Sequence, residues 1–436
     1  MTMPSSTGTL WRAPPGPAGV TWQRERTVAT LRHLRALRGL DRLLIRLPLH
    51  AATTISKFGI PGLGALGLTF AIPLIYVAVL CGSLSGRLRV HPRRFQLFVL
   101  MAAVLWLMQL FMAEGFSAPS LLMLCALHLP YVFSMRSGCD RTLLAWVAFR
   151  RISTVLACLG IAQYLLQFAI GSTLAYPIDN LLPSSMKVAG FNSQGWIEYG
   201  SATLRSNGVF MLEPSFFSQV LAIAIIGELV YGDTGWWRIA LHLTGIVVSY
   251  SGTGLLSLAA CVPVWVVMER RWKWAAAAGV GALLFAALIA SGVAADNPFM
   301  KIFLQRSLEF TSPGSSGFAR FVGGYYMFDQ YLWPDAVRAL FGVGAGTFLP
   351  YSLTAHYPAH GMALFKMVFE FGIVGAAFYF AFIVYCFASS AAPLLLRVAI
   401  FVPLMIQNYV PFAHGLALSL LIWNAPRHPF VLRGGR

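Results

Sequence analysis

Acidic side chains are scarce in this chain: 15 Asp and Glu stand among 436 residues, and charged residues of both signs make up only 11%. Soluble domains carry about 25% charged residues, so an ordinary water-facing globular surface is excluded. The acids in the gaps between apolar runs (Asp179, Glu198, Asp296, Glu309, Asp329, Asp335) are scattered, with no Asp-x-Asp pair. A divalent cation held by paired carboxylates is therefore not expected, and metal-independent chemistry is. No Walker-type phosphate loop and no Gly-x-Ser-x-Gly elbow occurs, which removes support for ATP-driven transport and serine hydrolysis. Of six cysteines, Cys81, Cys125, Cys158, Cys261 and Cys386 lie in apolar runs and Cys139 in a basic gap, so no disulfide framework follows. Residues 1–20 are rich in Pro, Gly, Ser and Thr and lack a short apolar core, so no cleavable signal is expected.

What is present is apolar: 58% of residues are hydrophobic and 14% aromatic. A helix needs about 20 mostly apolar residues to cross the hydrocarbon, and such runs recur from Ile60 to Trp423. They are too long and too uniform for barrel strands. The fold class expected is all-α, a polytopic membrane protein. The formal charge of +17 would point to nucleic acid in a soluble chain. Here the basic residues cluster in alternate gaps (Arg87, Arg89, Arg93, Arg94; Arg136, Arg141, Arg150, Arg151; Arg270, Arg271, Lys273; Arg427, Arg433, Arg436), which is the positive-inside pattern. These gaps are assigned to the cytoplasm, and no nucleic-acid partner is expected.

Residues 1–23 read as a disordered tail and 24–46 as a basic amphipathic helix on the inner leaflet, with arginines at helical spacing between leucines. Residues 47–426 form the polytopic domain and 427–436 a basic cytoplasmic tail. Crossings are expected near 43–58, 62–84, 96–113, 119–135, 152–171, 209–230, 237–250, 254–268, 274–293, 361–387, 393–409 and 411–425, about twelve, with both termini inside. The first is weak because Arg46 and Lys57 shorten its apolar core; parity requires it. The break Ser249-Tyr-Ser-Gly-Thr-Gly254 reads as two helix ends meeting in the bilayer. Two gaps, 172–208 and 295–360, lie outside and hold most polar residues without a structural task. The second contains, over 317–340, apolar residues at the spacing of an amphipathic helix lying against the outer face.

Chemistry concentrates at these gaps. In RSNGVFMLEPSFF, residues 205–217, Asn207-Gly208 marks a turn and Pro214 suits the first turn of a helix. Arg205 and Glu213 then stand at the mouth of an apolar helix, where an ionisable residue is a functional hypothesis; they also fit an interfacial arginine and a cap carboxylate. Further on come Arg320 in SSGFAR, the glycines 342, 344 and 346, and His356 and His360. Arginine offers a planar fork for phosphate oxygens, glycine amides can approach an anion, and histidine accepts a proton at neutral pH. This set suits a diphosphate leaving group and a hydroxyl nucleophile. The glycines suit a tight turn ahead of an anion cradle, and Arg338 and His356 compete for the roles of Arg320 and His360.

The ordered set RSNGVFMLEPSFFSQVLA, SYSGTGLL, SSGFAR, FGVGAGTF and HGMALFKMVFEFGIVG resembles the O-antigen ligase and polysaccharide polymerase family of bacterial envelope glycosyltransferases, over roughly residues 59–426. The resemblance implies a glycosyltransferase of the membrane-embedded C class in the inner membrane, acting at the periplasmic face without cofactor on a glycan carried by undecaprenyl diphosphate. Arg205 and Arg320 are similar to the family's two outer-face arginines, which hold the donor diphosphate. His360 is similar to its histidine, which activates or orients the acceptor hydroxyl; many members follow it with Asn where this chain has Gly361, so His356 stays in play, as does Glu213 as base. A polymerase, extending a lipid-linked repeat unit, is the first expectation. A ligase with lipid A core as acceptor is the second, and a lipid-linked glycan flippase or transporter the third. A chain-length regulator and a flippase are the implied protein partners.

Overall fold

The computed structural model describes residues 39–63, 68–111, 115–135, 141–188, 191, 194–197, 202–231, 236–269, 310–313, 315–407 and 410–424, with scattered positions between 272 and 291. The chain divides into residues 1–43, described only at the start of one helix, and residues 44–436. The expected tail 1–23, most of the basic helix 24–46, the crossing 274–293 apart from scattered positions, and the tail 427–436 lie outside the described residues.

Helices dominate, and the only strands among the described residues are a short antiparallel pair, Leu88–Val90 with Phe133–Met135. Each expected crossing other than 274–293 contains a described helix. By length and composition, three are long and apolar enough to cross a membrane: Thr142–Ile170, Pro214–Tyr231 and Ala363–Ala388. Shorter apolar helices include Ala71–Leu84, Leu394–Ile406 and Ala118–His128, the last tightening into a 3₁₀ turn at Leu129–Val132 where Pro130 interrupts it. Prolines and changes of helical pitch thus divide runs that hydropathy alone reads as continuous.

The centre is the Pro214–Tyr231 helix, buried continuously from Pro214 to Glu228. The Gly252–Glu269 helix crosses it so closely that a Cβ on Gly254 would stand 2.6 Å from the Ser218 carbonyl oxygen. On the other side lies the Thr142–Ile170 helix, whose Trp146 stacks on Tyr231.

One sequence expectation changes and two are sharpened. The stretch 317–340 is not one amphipathic helix but three short ones, Ser316–Phe321, Gly323–Tyr331 and Ala336–Phe341. Gly323-Gly324 weakens the first junction, while Pro334 and the capping Asp335, whose carboxylate accepts from Val337 N at 2.8 Å, begin the third. Its apolar side, Met327, Phe328 and Leu332, packs on Val343, Phe348, Phe365 and Phe369, which uses the stripe inside the protein. Arg94, one of a basic cluster assigned to the cytoplasm, is fully buried. Its guanidinium donates to Ser389 Oγ at 2.8 and 3.1 Å, to the Ile422 carbonyl at 2.7 Å and to the Phe133 carbonyl at 3.3 Å, tying three parts of the chain together.

The third concerns the glycine string. The Ala363–Ala388 helix breaks at Gly372, whose φ is 64°. A break leaves carbonyls without their helical partners. Val343 N donates to Phe369 O at 2.9 Å and Gly344 N to Glu370 O at 3.1 Å, and Ala345 N meets Gln109 Oε1 at 2.8 Å. The string is a tight turn that repairs a kink, and these amides are committed to protein acceptors rather than to an anion.

Candidate active site

Gln163 and Gln167, four residues apart on one face of the Thr142–Ile170 helix, lay the segment 204–209 along it. Gln167 accepts from Leu204 N at 2.8 Å and donates to Leu204 O at 3.1 Å. Gln163 donates to Asn207 Oδ1 at 3.1 Å and accepts from Ser206 Oγ at 3.0 Å and Asn207 N at 3.2 Å. Arg205 sits between these anchors, its amide on Gly195 O at 2.8 Å and its Nη2 on Ile197 O at 3.0 Å. Gly208 and Val209 follow in the left-handed region, with φ of 67° and 68°. The chain then turns at Glu213, whose carbonyl accepts Phe216 N and Phe217 N at 3.1 and 3.2 Å and opens the Pro214–Tyr231 helix.

Arg205, Glu213 and Arg320 line one cavity of about 440 Å³. Ser215 Oγ donates to Glu213 Oε2 at 2.8 Å, and Arg320 Nη2 stands 3.7 Å from the same oxygen. That separation makes the pair a charge contact rather than a direct hydrogen bond. The break at Tyr250-Ser251 forms another wall: the two helices do end there, with Tyr250 at a φ of 46°. Thr253 Oγ1 stitches the break to the central helix, donating to Ser215 O at 3.1 Å and meeting Ser251 Oγ at 3.0 Å and Ser218 Oγ at 3.2 Å. The first turns of two 18-residue helices therefore border the cavity beside the arginines, and helix N-termini carry positive potential. Leu255, Leu256, Ala259, Phe310 and Phe321 make its apolar side. Two arginines, one glutamate and two helix starts give an anion-attracting end joined to an apolar wall.

His360 is tied to the helix carrying Arg320, its amide donating to Ala319 O at 2.7 Å. The residue keeps an exposed face, but protein packed around its other sides strips hydration from the charged form, and the Arg320 charge adds repulsion. Together these lower its pKa to about 4. His356 lies elsewhere on the same loop, its amide on Gln330 Oε1 at 3.1 Å and its ring 4.5 Å from that of Tyr357. Neither histidine is among the cavity-lining residues. Arg338 is engaged with Asp335 at 3.7 Å and Tyr331 O at 3.4 Å, also away from that lining.

No family model matches the chain, and no curated protein matches it significantly. The site therefore rests on its own geometry. Sequence reasoning missed Gln163 and Gln167, Thr253, Lys57 and Asp179. The glutamine pair had a legible signal, two amides at i, i+4 in an otherwise apolar run; Lys57 and Asp179 had none, because each is explained only by the other. Among the described residues, no three His, Cys, Asp or Glu side chains come together as a metal site.

Proposed function

We propose that the chain is a polytopic inner-membrane glycosyltransferase of about twelve crossings, with both termini cytoplasmic and the Arg205–Arg320 cavity at the periplasmic face. It polymerises polysaccharide: a glycan carried on undecaprenyl diphosphate is moved to a hydroxyl of another lipid-linked repeat unit. The observation that carries this reading is the convergence of Arg205 and Glu213, from one stretch, with Arg320, more than a hundred residues further on, on one cavity with a cationic end and an apolar wall. A polyprenyl diphosphate has that same division between charged head and apolar tail.

In the transfer, the acceptor oxygen attacks the anomeric carbon of the donor sugar as the bond from that carbon to the diphosphate oxygen breaks. The acceptor proton passes to His360, held neutral by its surroundings, or to Glu213 once Arg320 has exchanged it for phosphate. The negative charge growing on the leaving diphosphate is met by Arg205, Arg320 and the two helix starts, groups already oriented before reaction. Arginine suits this because two parallel donors match two phosphate oxygens.

The test is reconstitution of the purified protein with an undecaprenyl-diphosphate oligosaccharide, with and without lipid A core. Longer lipid-linked chains are expected. Transfer to core lipid instead makes the protein a ligase, and passage across the bilayer with no new glycosidic bond overturns both enzymatic readings.

A further inference from the structure

We propose that Lys57 and Asp179 are positioning residues for Arg205, acting through the turn that follows it; this rests on the reading of Arg205 as a diphosphate ligand. Lys57 Nζ lies 2.6 Å from Asp179 Oδ1 and donates to the Val209 carbonyl at 2.9 Å. Asp179 Oδ2 accepts from Asn207 Nδ2 at 3.1 Å, and Asn207 Oδ1 accepts in turn from Val209 N at 3.0 Å and Gln163 Nε2 at 3.1 Å. Lys57 belongs to the turn that follows a π-helical stretch, Ala51–Ile55, and Asp179 to the short Pro177–Leu181 helix. Two remote parts of the chain therefore clamp residues 207–209 from one side while Gln163 holds them from the other.

What they clamp is strained. Val209 is β-branched and adopts a φ of 68°, a conformation such residues rarely take and keep only where the surroundings over-determine it. Lys57 on its carbonyl and Asn207 on its amide are that surrounding structure. Upstream, Leu204 is fixed by Gln167 and by Tyr176, whose hydroxyl donates to Leu204 O at 3.2 Å. Arg205 is thus suspended between two fixed points, and its backbone cannot shift unless one of them yields. Stability alone does not account for the pair: its side chains are 3% and 2% exposed, and a buried ion pair replaced by neutral groups often leaves stability unchanged or raised. Fixing the turn beside a candidate ligand does account for it.

The experiment compares wild type with Lys57→Met/Asp179→Asn and with the same double variant carrying Val209→Gly, all in proteoliposomes. It reads kcat and KM for transfer from an undecaprenyl-diphosphate oligosaccharide, the thermal midpoint, and the rates at which phenylglyoxal modifies Arg205 and Arg320, followed by mass spectrometry. The double variant is expected to keep its midpoint but to lose about a hundredfold in kcat, the scale of an ångström-sized misplacement. Its Arg205 modification rate shifts several-fold while that of Arg320 does not. Val209→Gly, which takes the left-handed turn without a clamp, restores both readouts in part. A folded double variant with wild-type kcat and wild-type Arg205 rate overturns the proposal. If the double variant fails to fold, Asp179→Asn alone carries the same comparison, because its amide oxygen still accepts from Asn207. Absence of transfer in wild type sinks the enzymatic reading, and the Arg205 modification rates still decide the clamp.

Discussion

At the residue scale the proposed transfer makes different demands of the cavity's two arginines and of His360, which is tied to the helix of Arg320. Arg205 and Arg320 face a ligand whose oxygens are paired, so geometry matters as much as charge. Arg205→Lys and Arg320→Lys each keep the charge, yet each is expected to lower kcat/KM for transfer about a hundredfold, comparable with the loss of one preorganised donor to a growing charge. A lysine variant with wild-type kcat/KM would remove that position from diphosphate binding. His360 makes a pH prediction. Its folded pKa is lowered to about 4, so the neutral, proton-accepting form persists well below the ordinary histidine pKa of about 6.5. The acid limb of kcat/KM, which reports the free enzyme, should fall near pH 4, and His360→Asn should flatten it. The same sign applies to stability: what the neutral ring contributes is complete above the unfolded pKa and is lost as pH falls toward 4. An acid limb that survives His360→Asn, and vanishes in His356→Asn, would move the role to His356.

At the element scale the site depends on how closely two helices approach. Gly254 lets the Gly252–Glu269 helix lie against the Ser218 carbonyl, and that contact places Thr253 where it hydrogen-bonds Ser215, the donor to Glu213. Gly254→Val must push backbone from backbone, since the atoms it meets are not the ends of flexible side chains. The expected cost is about 1–3 kcal/mol, read as a lower thermal midpoint in detergent, together with reduced transfer as Thr253 moves; an unchanged midpoint would show that the helices can separate freely. The same scale explains what the sequence made legible. Long apolar runs announce helices, and every expected crossing within the described residues contains one, but their ends were set by Pro130, Gly372 and Pro334, where backbone chemistry overrides periodicity. In the cavity, Arg205 and Glu213 were legible as ionisable residues beside an apolar helix, whereas Arg320 was set ahead of Arg338 only by the family resemblance. Lys57 was read only as a residue that shortens a crossing. Its partners lie far along the chain, Val209 being 152 positions away, and no local pattern encodes a pairing at that distance.

At the scale of the whole molecule, the cavity must open to the side where the substrate is. On the proposed topology, drawn from the basic clusters, Arg89 lies in the cytoplasm and the gap with Lys187 outside. The two positions suit a direct test because both side chains are exposed. Neither is among the residues that line the Arg205–Arg320 cavity. Cysteine at either one should therefore report topology without disturbing the site. The native thiols need attention first: Cys158 is exposed and Cys81 and Cys125 are half-buried, so all six are replaced by serine or alanine before single cysteines are introduced. In intact spheroplasts, a membrane-impermeant maleimide is expected to label Lys187→Cys at once and Arg89→Cys only after lysis. Labelling of Arg89→Cys from outside with protection of Lys187→Cys inverts the molecule. The Lys57–Asp179 clamp and the arginines would then face the cytoplasm, where ordinary nucleotide-sugar donors are available, and the lipid-linked donor would lose its main support. Labelling of both from outside means that the number of crossings between them is even. In that case one of the expected crossings 96–113, 119–135 and 152–171 is miscounted, and the side on which the cavity opens has to be fixed from the residues that line it, starting with a single cysteine at Ser251.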